Sequence, residues 1–188
     1  IKFTPLRWGI QYLYFSWYYK NKVLSATDSD GSPIFWFGSK DEGGFGLVLN
    51  SPIELGKIDS IFINYECKGL ENIWGVFYSK STTSWYPANP FRDCATFKMA
   101  FNCPDDYQIV ACGDKISTVI EKGRAQTEWL VSQPVEYVSF NIGNFESKMI
   151  AVPNLPPVKV YISNNIPHTE LAMYLAETSG TLSSADMT

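Results

Sequence analysis

Apolar and polar residues alternate with a period of two through most of the chain, which is the pattern of β-strands with one buried face. The clearest case is residues 95–111, where two alternating stretches predict strands at 95–101 and 107–111. The intervening residues 103–106 include Pro104, which cannot donate a hydrogen bond to a sheet, and two aspartates, which favour turns. The chain must therefore reverse there, and the simplest interpretation is a β-hairpin.

The same alternation predicts further strands, each bounded by glycine, proline, asparagine or aspartate turns. They lie at residues 8–20, 23–26, 34–37, 45–49, 61–65, 125–131, 138–142 and 158–162, and between the turns at 113–114 and 122–123. Gly123 predicts a hairpin turn into the strand at 125–131. Because no helical period occurs before residue 165, the predicted fold is an all-β, antiparallel sandwich.

The first long strand has aromatic residues on both faces. Tyr12 and Tyr14 alternate with Leu13, Phe15 and Trp17. A strand with two apolar faces is either covered on both sides or lies at an edge that meets another domain.

The pattern changes near the C-terminus. Residues 152–157 contain three prolines, which predict a stiff linker. We therefore divide the chain into a β-sandwich domain at 1–151 and, at 152–188, the linker and the start of a second domain. That second part should hold the strand at 158–162 and a helix near 167–176 with Thr169 as its cap.

Composition narrows the classes of protein to consider. The chain has 188 residues, 45% hydrophobic and 18% charged, with a net charge of −4. It should be globular, and the acidic balance argues against nucleic acid as a partner. No apolar run is long enough for a transmembrane helix. The chain begins without methionine or a signal peptide, so we interpret it as an excised piece, and its localisation cannot be predicted.

Residues for chemistry are scarce. There is one histidine, His168, at the predicted start of the helix, where a solvated surface position is expected. The cysteines lack the close spacing of zinc ligands and are predicted to be free thiols: Cys67, Cys94, Cys103 and Cys112. The D-x-D-G sequence at 28–31 lacks the further acidic ligands of a calcium loop and predicts a plain turn. No catalytic or metal-binding residue is predicted in this chain.

Six segments nevertheless follow one another in an order more specific than a generic sandwich: Val23–Ala26 before an Asp-Gly turn, Phe45–Leu49 followed by Pro52–Gly56, Ile63–Gly69, Trp85-Tyr86-Pro87 leading to Ala95–Lys98, Tyr107–Gly113 and Phe140–Phe145. In this order they resemble the N-terminal, saddle-shaped β-sandwich of the membrane alanyl aminopeptidase family of zinc metallopeptidases. The sequence departs from the family at Asn89–Asp93, where an Asp-Glu/Gln-Pro motif is usual. The glutamine that often reaches the substrate's amino end has no counterpart around Tyr78–Thr83. The resemblance is therefore to a divergent branch.

The resemblance implies a non-catalytic domain that packs on its own C-terminal catalytic domain and forms one wall of a substrate cleft. The cofactor would be zinc, held by an H-E-x-x-H motif in that other domain and not by this chain, and the substrate would be a peptide. In the family, the segment before the aromatic-Pro motif faces the cleft. The resemblance thus makes Tyr78, Ser79, Trp85 and Tyr86 candidate substrate-cleft residues. The structural alternative is that Trp85 and Tyr86 close one end of the sandwich.

Two other functions stay open. One is a scaffold domain in a family member that has lost its peptidase motif, so that whether the parent protein is an enzyme is uncertain. The other is a carbohydrate-binding sandwich that uses an exposed aromatic row, for which the tryptophans are candidates: Trp8, Trp17, Trp36, Trp74, Trp85 and Trp129. Burial in the core is the commoner position for a strand tryptophan.

Overall fold

A computed structural model describes residues 1–39, 43–81, 85–91, 93–151, 156–167 and 169–170. Its regular elements are sixteen strands. They are β1 (Lys2–Phe3), β2 (Ile10–Ser16), β3 (Lys22–Thr27), β4 (Phe35–Ser39), β5 (Gly44–Ile53), β6 (Asp59–Ser60), β7 (Phe62–Glu66), β8 (Leu70–Ile73), β9 (Val76–Ser79), β10 (Ala95–Pro104), β11 (Gln108–Ala111), β12 (Asp114–Glu121), β13 (Arg124–Val135), β14 (Phe140–Gly143), β15 (Phe145–Ile150) and β16 (Val158–Ser163). The predicted all-β class is confirmed.

The strands form small antiparallel sheets. Their orders are β2-β5-β4, β10-β13-β12 and β11-β14-β9-β8, with the two-stranded pairs β1-β6, β3-β7 and β15-β16. Each strand pair in the described ranges runs antiparallel. The antiparallel sandwich predicted from the alternation is therefore the fold observed.

The first hydrophobic core lies between sheet β2-β5-β4 and the pair β3-β7. Its centre is Phe45 and Leu47 on β5, whose side chains are 1% and 0% exposed. Ile61, just before β7, is equally buried. Burying a side chain of this size contributes about 2 kcal/mol. This core fixes the inward face of β5 and leaves its other face pointing outward.

The second core lies between sheet β10-β13-β12 and sheet β11-β14-β9-β8. Met99 on β10 and Trp129 and Val131 on β13 are buried together with Val138. A continuation of this core near the end of β10 contains Cys103 and Ile109. These residues alternate along their strands, as the period-two pattern requires.

The hairpin predicted for residues 95–111 is wrong. The backbone does turn, since the Tyr107 N–H donates to the Pro104 carbonyl at 3.1 Å. However, β10 pairs with β13 and β11 pairs with β14, so the turn carries the chain from one sheet to the other. Cys103 and Ile109 face one another across the core and not along a shared edge. Alternation states which face is buried, but it does not state which strand is the neighbour.

The hairpin predicted at Gly123 is confirmed. Strands β12 and β13 pair from Glu121 and Arg124 onward, with Lys122 and Gly123 as a two-residue loop. Their φ angles of +52° and +74° are the left-handed values that such a loop needs.

A second hairpin of the same kind was not predicted. It joins β8 and β9 through Trp74 and Gly75, with φ angles of +48° and +76°. Tryptophan is a rare residue in a left-handed turn, and for that reason the sequence does not signal this hairpin.

Strand β2 is covered on one side only. Phe15 and Trp17 are 8% exposed and belong to the first core, whereas Tyr12 is 48% and Tyr14 is 36% exposed. The predicted aromatic character of both faces is correct. Its consequence is an open aromatic face on the other side of the sheet.

Near the C-terminus, β16 is present at the predicted position and pairs with β15 along its whole length. Residues 152–155 of the predicted linker, His168 and most of the predicted helix at 167–176 lie outside the described residues. The predicted domain boundary at 151–152 falls in the connection between β15 and β16, and it stays a prediction.

The D-x-D-G sequence forms the predicted turn. Asp28 accepts hydrogen bonds from the N–H groups of Asp30, at 3.1 Å, and Ser32, at 2.8 Å. Gly31 has a φ of +81°, which a glycine adopts at little cost. The four cysteines are free thiols.

Candidate functional site

The four candidate cleft residues lie at the two ends of a single segment. Tyr78 and Ser79 end strand β9, and Trp85 and Tyr86 follow residues 82–84, which lie outside the described ranges. Strand β14 connects the two ends. Its residue Asn141 pairs with Tyr78, and the ring of the preceding Phe140 contacts Trp85.

At the first end, Tyr78 belongs to a small polar group. The Tyr78 hydroxyl donates to Glu71 Oε2 at 3.0 Å, and Lys80 Nζ lies 3.0 Å from Glu71 Oε1. Glu71 stands directly opposite Tyr78 because the β8–β9 hairpin brings the two strands together in that register. We call Glu71, Tyr78 and Lys80 the surface triad.

The two charged side chains of the surface triad, Glu71 and Lys80, are open to solvent. Hydrogen bonds from Lys80 and Tyr78 hold the pKa of the Glu71 carboxyl below its usual value. The same carboxylate raises the pKa of Lys80 and that of Tyr78. The side chains of Lys80 and Glu71 are 53% and 41% exposed, so the ion pair presents both charges to any molecule bound over this edge of the sheet.

Ser79 lies next to the triad. Its hydroxyl donates to the carbonyl of Ser81, while the Lys80 N–H donates to the Gly69 carbonyl at 2.8 Å. These bonds fix the path of the chain where it leaves β9. Ser79 therefore shapes the start of the candidate segment.

At the other end, Trp85 and Tyr86 pack into the second core. The Trp85 ring meets Phe140 edge to face at a centroid distance of 4.8 Å, and Tyr86 meets Phe97 in the same way at 5.7 Å. Both rings also contact one another at 4.8 Å. We call Trp85, Tyr86, Phe97 and Phe140 the Trp85 cluster.

The indole N–H and the backbone carbonyl of Trp85 are hydrogen-bonded, whereas the buried Tyr86 hydroxyl has no partner among the described residues. Trp85 Nε1 donates to the Val138 carbonyl at 3.1 Å, and the Trp85 carbonyl accepts the Tyr65 hydroxyl at 2.8 Å. Burial raises the pKa of Tyr65 to about 12 and also raises the pKa of Tyr86. An aromatic ring with satisfied polar atoms and edge-to-face neighbours stabilises the fold.

All four candidate residues are thus partly buried: Tyr78 and Ser79 lie beside the exposed Lys80–Glu71 pair, and Trp85 and Tyr86 pack against the second core. Whether any of the four lines a substrate cleft stays a prediction. Sequence reasoning missed Glu71, which contacts Tyr78 directly. No local sequence signal identifies it, because the hairpin that pairs Glu71 with Tyr78 turns through Trp74, a rare residue at a left-handed position.

No group of three or more acidic, cysteine or histidine side chains in the described part of the chain is arranged to hold a metal ion. Within the same ranges, the structure contains no helix of the length and apolar character that a membrane crossing requires.

Comparison with solved structures shows which known proteins share this fold. An M1 zinc metallopeptidase from Deinococcus radiodurans superposes on 86% of this chain, with a TM-score of 0.69 and 18% sequence identity. A mutant of that enzyme with a bound Tyr-Ser-Ala substrate gives the same values. A two-domain M1 zinc metallopeptidase mutant bound to L-arginine has a TM-score of 0.68 at the same identity. The chain therefore shares its fold with part of the M1 zinc metallopeptidases.

The likeness covers only a portion of those proteins. The matched region is 42% of each metallopeptidase chain, so this chain spans less than half of their length. No protein-family model matches the sequence, and no curated protein matches it. At 18% identity the comparison establishes the fold, which is the one that the sequence resemblance predicts.

Proposed function

We propose that this chain is a non-catalytic N-terminal domain of a zinc metallopeptidase-like protein, in which it packs on a catalytic domain and forms one wall of the substrate cleft. The observation that supports this proposal most strongly is the match of 86% of the chain to 42% of an M1 zinc metallopeptidase. The unmatched remainder of that metallopeptidase would correspond to a second domain, which would bind the zinc and catalyse the reaction. Residues 1–151 would form the sandwich, and residues 152–188 the linker and the start of the peptidase-like domain.

In this proposal the surface triad and Ser79 contact the substrate, which is a peptide. An exposed carboxylate beside a lysine and a tyrosine hydroxyl offers an acceptor and two donors to a polar backbone. The Trp85 cluster fixes the positions of Trp85 and Tyr86 against the second core. Tyr78 would then affect substrate binding, whereas Trp85 and Tyr86 would act mainly through stability.

The experiment compares Tyr78→Ala with Phe62→Ala in the whole protein, with a zinc-loaded catalytic domain present. Phe62 is an aromatic residue on β7 with 60% exposure and serves as the matched control. We expect Tyr78→Ala to raise KM or lower kcat for amino-acid amide substrates, with an unchanged melting temperature, and Phe62→Ala to leave kinetics unchanged. Equal kinetics for the wild type and both variants would refute the role of Tyr78.

The scaffold alternative makes a different prediction. If the parent protein lacks peptidase activity, no turnover of amino-acid amides is restored when zinc is added to a chelator-treated sample. The sequence of the adjoining domain separates the two directly, because hydrolysis of this kind needs two histidines on one helical turn and a glutamate base.

A further inference from the structure

The outward face of sheet β2-β5-β4 carries a row of aromatic rings. The strand registers place Tyr12, Val48 and Phe35 side by side, and Tyr14, Gly46 and Phe37 beside them. The exposed fractions of the four aromatic residues are 48% for Tyr12, 36% for Tyr14, 67% for Phe35 and 47% for Phe37. We call these four residues the outer aromatic face. It lies on a different sheet from Tyr78 and the surface triad.

The rings form a continuous surface. Tyr12 stacks on Phe37 with a centroid distance of 5.8 Å and only 18° between the ring planes. Phe37 continues to Phe35 at 6.2 Å with 35° between the planes. Three partly exposed rings therefore follow one another in contact across the sheet.

Two glycines on the central strand make this arrangement possible. A Cβ atom at Gly46 would lie 2.6 Å from the Tyr12 ring and 2.9 Å from the Phe37 ring. A Cβ atom at Gly44 would lie 2.2 Å from the Tyr14 hydroxyl. The rings consequently rest on bare backbone, and any side chain at either position would lift them. Their orientation is preorganised, which lowers the entropic cost of binding a ligand.

Among the described residues, the outward positions of this face carry no ionised side chain. On the three strands they are serine, glycine, valine, asparagine, tyrosine and phenylalanine. At one end stands a polar pair, because Asn50 Nδ2 donates to Asp28 Oδ2 at 3.0 Å and to the Pro33 carbonyl at 3.2 Å. Pro33 lies two residues before Phe35, so the carboxylate adjoins the row of rings. The same Asp28 oxygen retains a lone pair for a hydroxyl donor.

We propose that the outer aromatic face binds an uncharged oligosaccharide, whose pyranose rings lie flat on Tyr12, Phe37 and Phe35 and whose hydroxyls reach the Asp28–Asn50 pair. The charge of the site argues for this occupant, since the outward ring positions are uncharged and the one carboxylate beside them, Asp28, is an acceptor to which sugar hydroxyls can donate. A flat apolar sugar face fits stacked rings, and the ring hydroxyls fit an adjoining acceptor and the tyrosine O–H groups. An exposed aromatic patch of this kind is a common mark of a binding site.

The aromatic residues of this proposed site are not the tryptophans that the sequence made candidates for an exposed aromatic row. Trp17 and Trp129 are 8% and 7% exposed and belong to the two cores, and Trp85 belongs to its own cluster. Trp36 lies opposite Leu47, on the other side of β4 from Phe35 and Phe37, and is 37% exposed there. The residues that form a row are the tyrosines and phenylalanines of β2 and β4.

The test is calorimetric titration of the full 188-residue chain with four neutral probes: cellohexaose, laminarihexaose, mannohexaose and chitohexaose. We expect at least one to bind with a Kd of roughly 10 μM to 1 mM. Phe35→Ala and Tyr12→Ala should each weaken that binding at least about tenfold. Tyr12→Phe, which keeps the ring, should retain most of the affinity, and Phe62→Ala should match the wild type.

Three results would overturn the proposal. They are the absence of binding by all four probes, binding that Phe35→Ala and Tyr12→Ala leave unchanged, and a dimer that these variants dissociate in sedimentation velocity. The last result would assign the face to a second copy of the chain. Phe35 is 67% exposed and lies over no glycine, so its alanine variant should fold even if changes at Tyr12 disturb the sheet. Because the titration uses neither zinc nor a peptide, its outcome is independent of the proposed peptidase role.

Discussion

The outer aromatic face and the Trp85 cluster use similar residues in opposite ways. In the outer aromatic face, Tyr12 and Phe37 stack with 18° between their planes, and their outer surfaces remain open. In the Trp85 cluster, Trp85 meets Phe140 at 88° and its indole N–H is hydrogen-bonded to a carbonyl. In the first arrangement, part of each ring stays exposed to solvent. In the second, the rings are in contact with other side chains of the core.

The backbone beneath each group explains the difference. Glycines on β5 let the rings lie close against the outward side of the sheet, where the four aromatic residues stay 36% to 67% exposed. The Trp85 cluster sits where two sheets approach one another, so its rings interlock edge to face and exclude water. The comparison predicts that substitutions in the Trp85 cluster change stability, and that substitutions on the outer aromatic face change binding.

The largest expected effect is that of Trp85→Ala. This change removes a packed ring and its hydrogen bond to Val138, and it should lower the free energy of unfolding by about 3 kcal/mol. Urea denaturation monitored by circular dichroism gives this value. Trp8→Ala, at a site where the side chain is 75% exposed, is the matched control and should stay within about 0.5 kcal/mol of the wild type. A loss below about 1 kcal/mol for Trp85→Ala would remove the contrast between the two groups.

The second prediction concerns the glycine under the outer aromatic face. Gly46→Ala should cost about 2 kcal/mol, because the added methyl group must push Tyr12 and Phe37 off the backbone. Gly38→Ala is the control on the neighbouring strand, where the nearest atom to a Cβ lies at an ordinary 3.6 Å. That change should be neutral or slightly stabilising.

Equal effects of Gly46→Ala and Gly38→Ala on thermal unfolding would show that the positions of the Tyr12 and Phe37 rings do not require a glycine at position 46. The same pair also tests the binding proposal, since lifting the rings should weaken oligosaccharide binding while Gly38→Ala leaves it unchanged.

Much of this fold is readable from the sequence, because period-two alternation directly reports which side of a strand is buried. The strands from β2 to β5 and from β10 to β14 follow from it. Which strands pair with one another cannot be read from this alternation. Cys103 and Ile109 alternate as a hairpin would, yet they lie in facing sheets, because their partners are decided by contacts distant in sequence.

The candidate site was also predictable only in part, because the sequence identifies conspicuous residues but not the strands that pair with them. Tyr78 and Trp85 stand out as large amphipathic residues around a turn-rich stretch, and the family resemblance gives them a role. Glu71 does not stand out, because its importance comes from the register that places it opposite Tyr78. The outer aromatic face was foreseen only as two aromatic sides of β2. Its openness depends on the absence of a layer above it, which no local pattern encodes.

The third prediction tests how firmly the Trp85 cluster is held by its hydrogen bonds. Tyr65→Phe removes the hydroxyl that donates to the Trp85 carbonyl at 2.8 Å, and should cost about 1 kcal/mol at neutral pH. Burial, the main cause, and the nearby Cys67 raise the pKa of Tyr65 in the folded protein to about 12, from an ordinary value of 10.0. The folded state therefore favours the neutral phenol.

A pKa raised in the folded state gives stability that is complete below pH 10 and is lost as the pH rises toward 12. The advantage of the wild type over Tyr65→Phe should accordingly shrink across that interval. Urea unfolding of both proteins at several pH values from 8 to about 12 measures it. An advantage that stays constant would show that Tyr65 ionises as it does in the unfolded chain.

The smallest expected effect is at the surface triad, where Tyr78→Phe and Lys80→Gln should each change stability by less than about 0.5 kcal/mol, since exposed pairs contribute little. Their effect should appear instead in the pKa of Glu71, which both partners lower, Lys80 more than Tyr78. Carboxyl chemical shifts from nuclear magnetic resonance should show that pKa rising toward its ordinary value in both variants, further in Lys80→Gln. An unchanged pKa would mean that the triad does not persist in solution. A large loss of stability would instead make the triad a structural element like the Trp85 cluster, and Tyr78 would lose its standing as a residue free to meet a substrate.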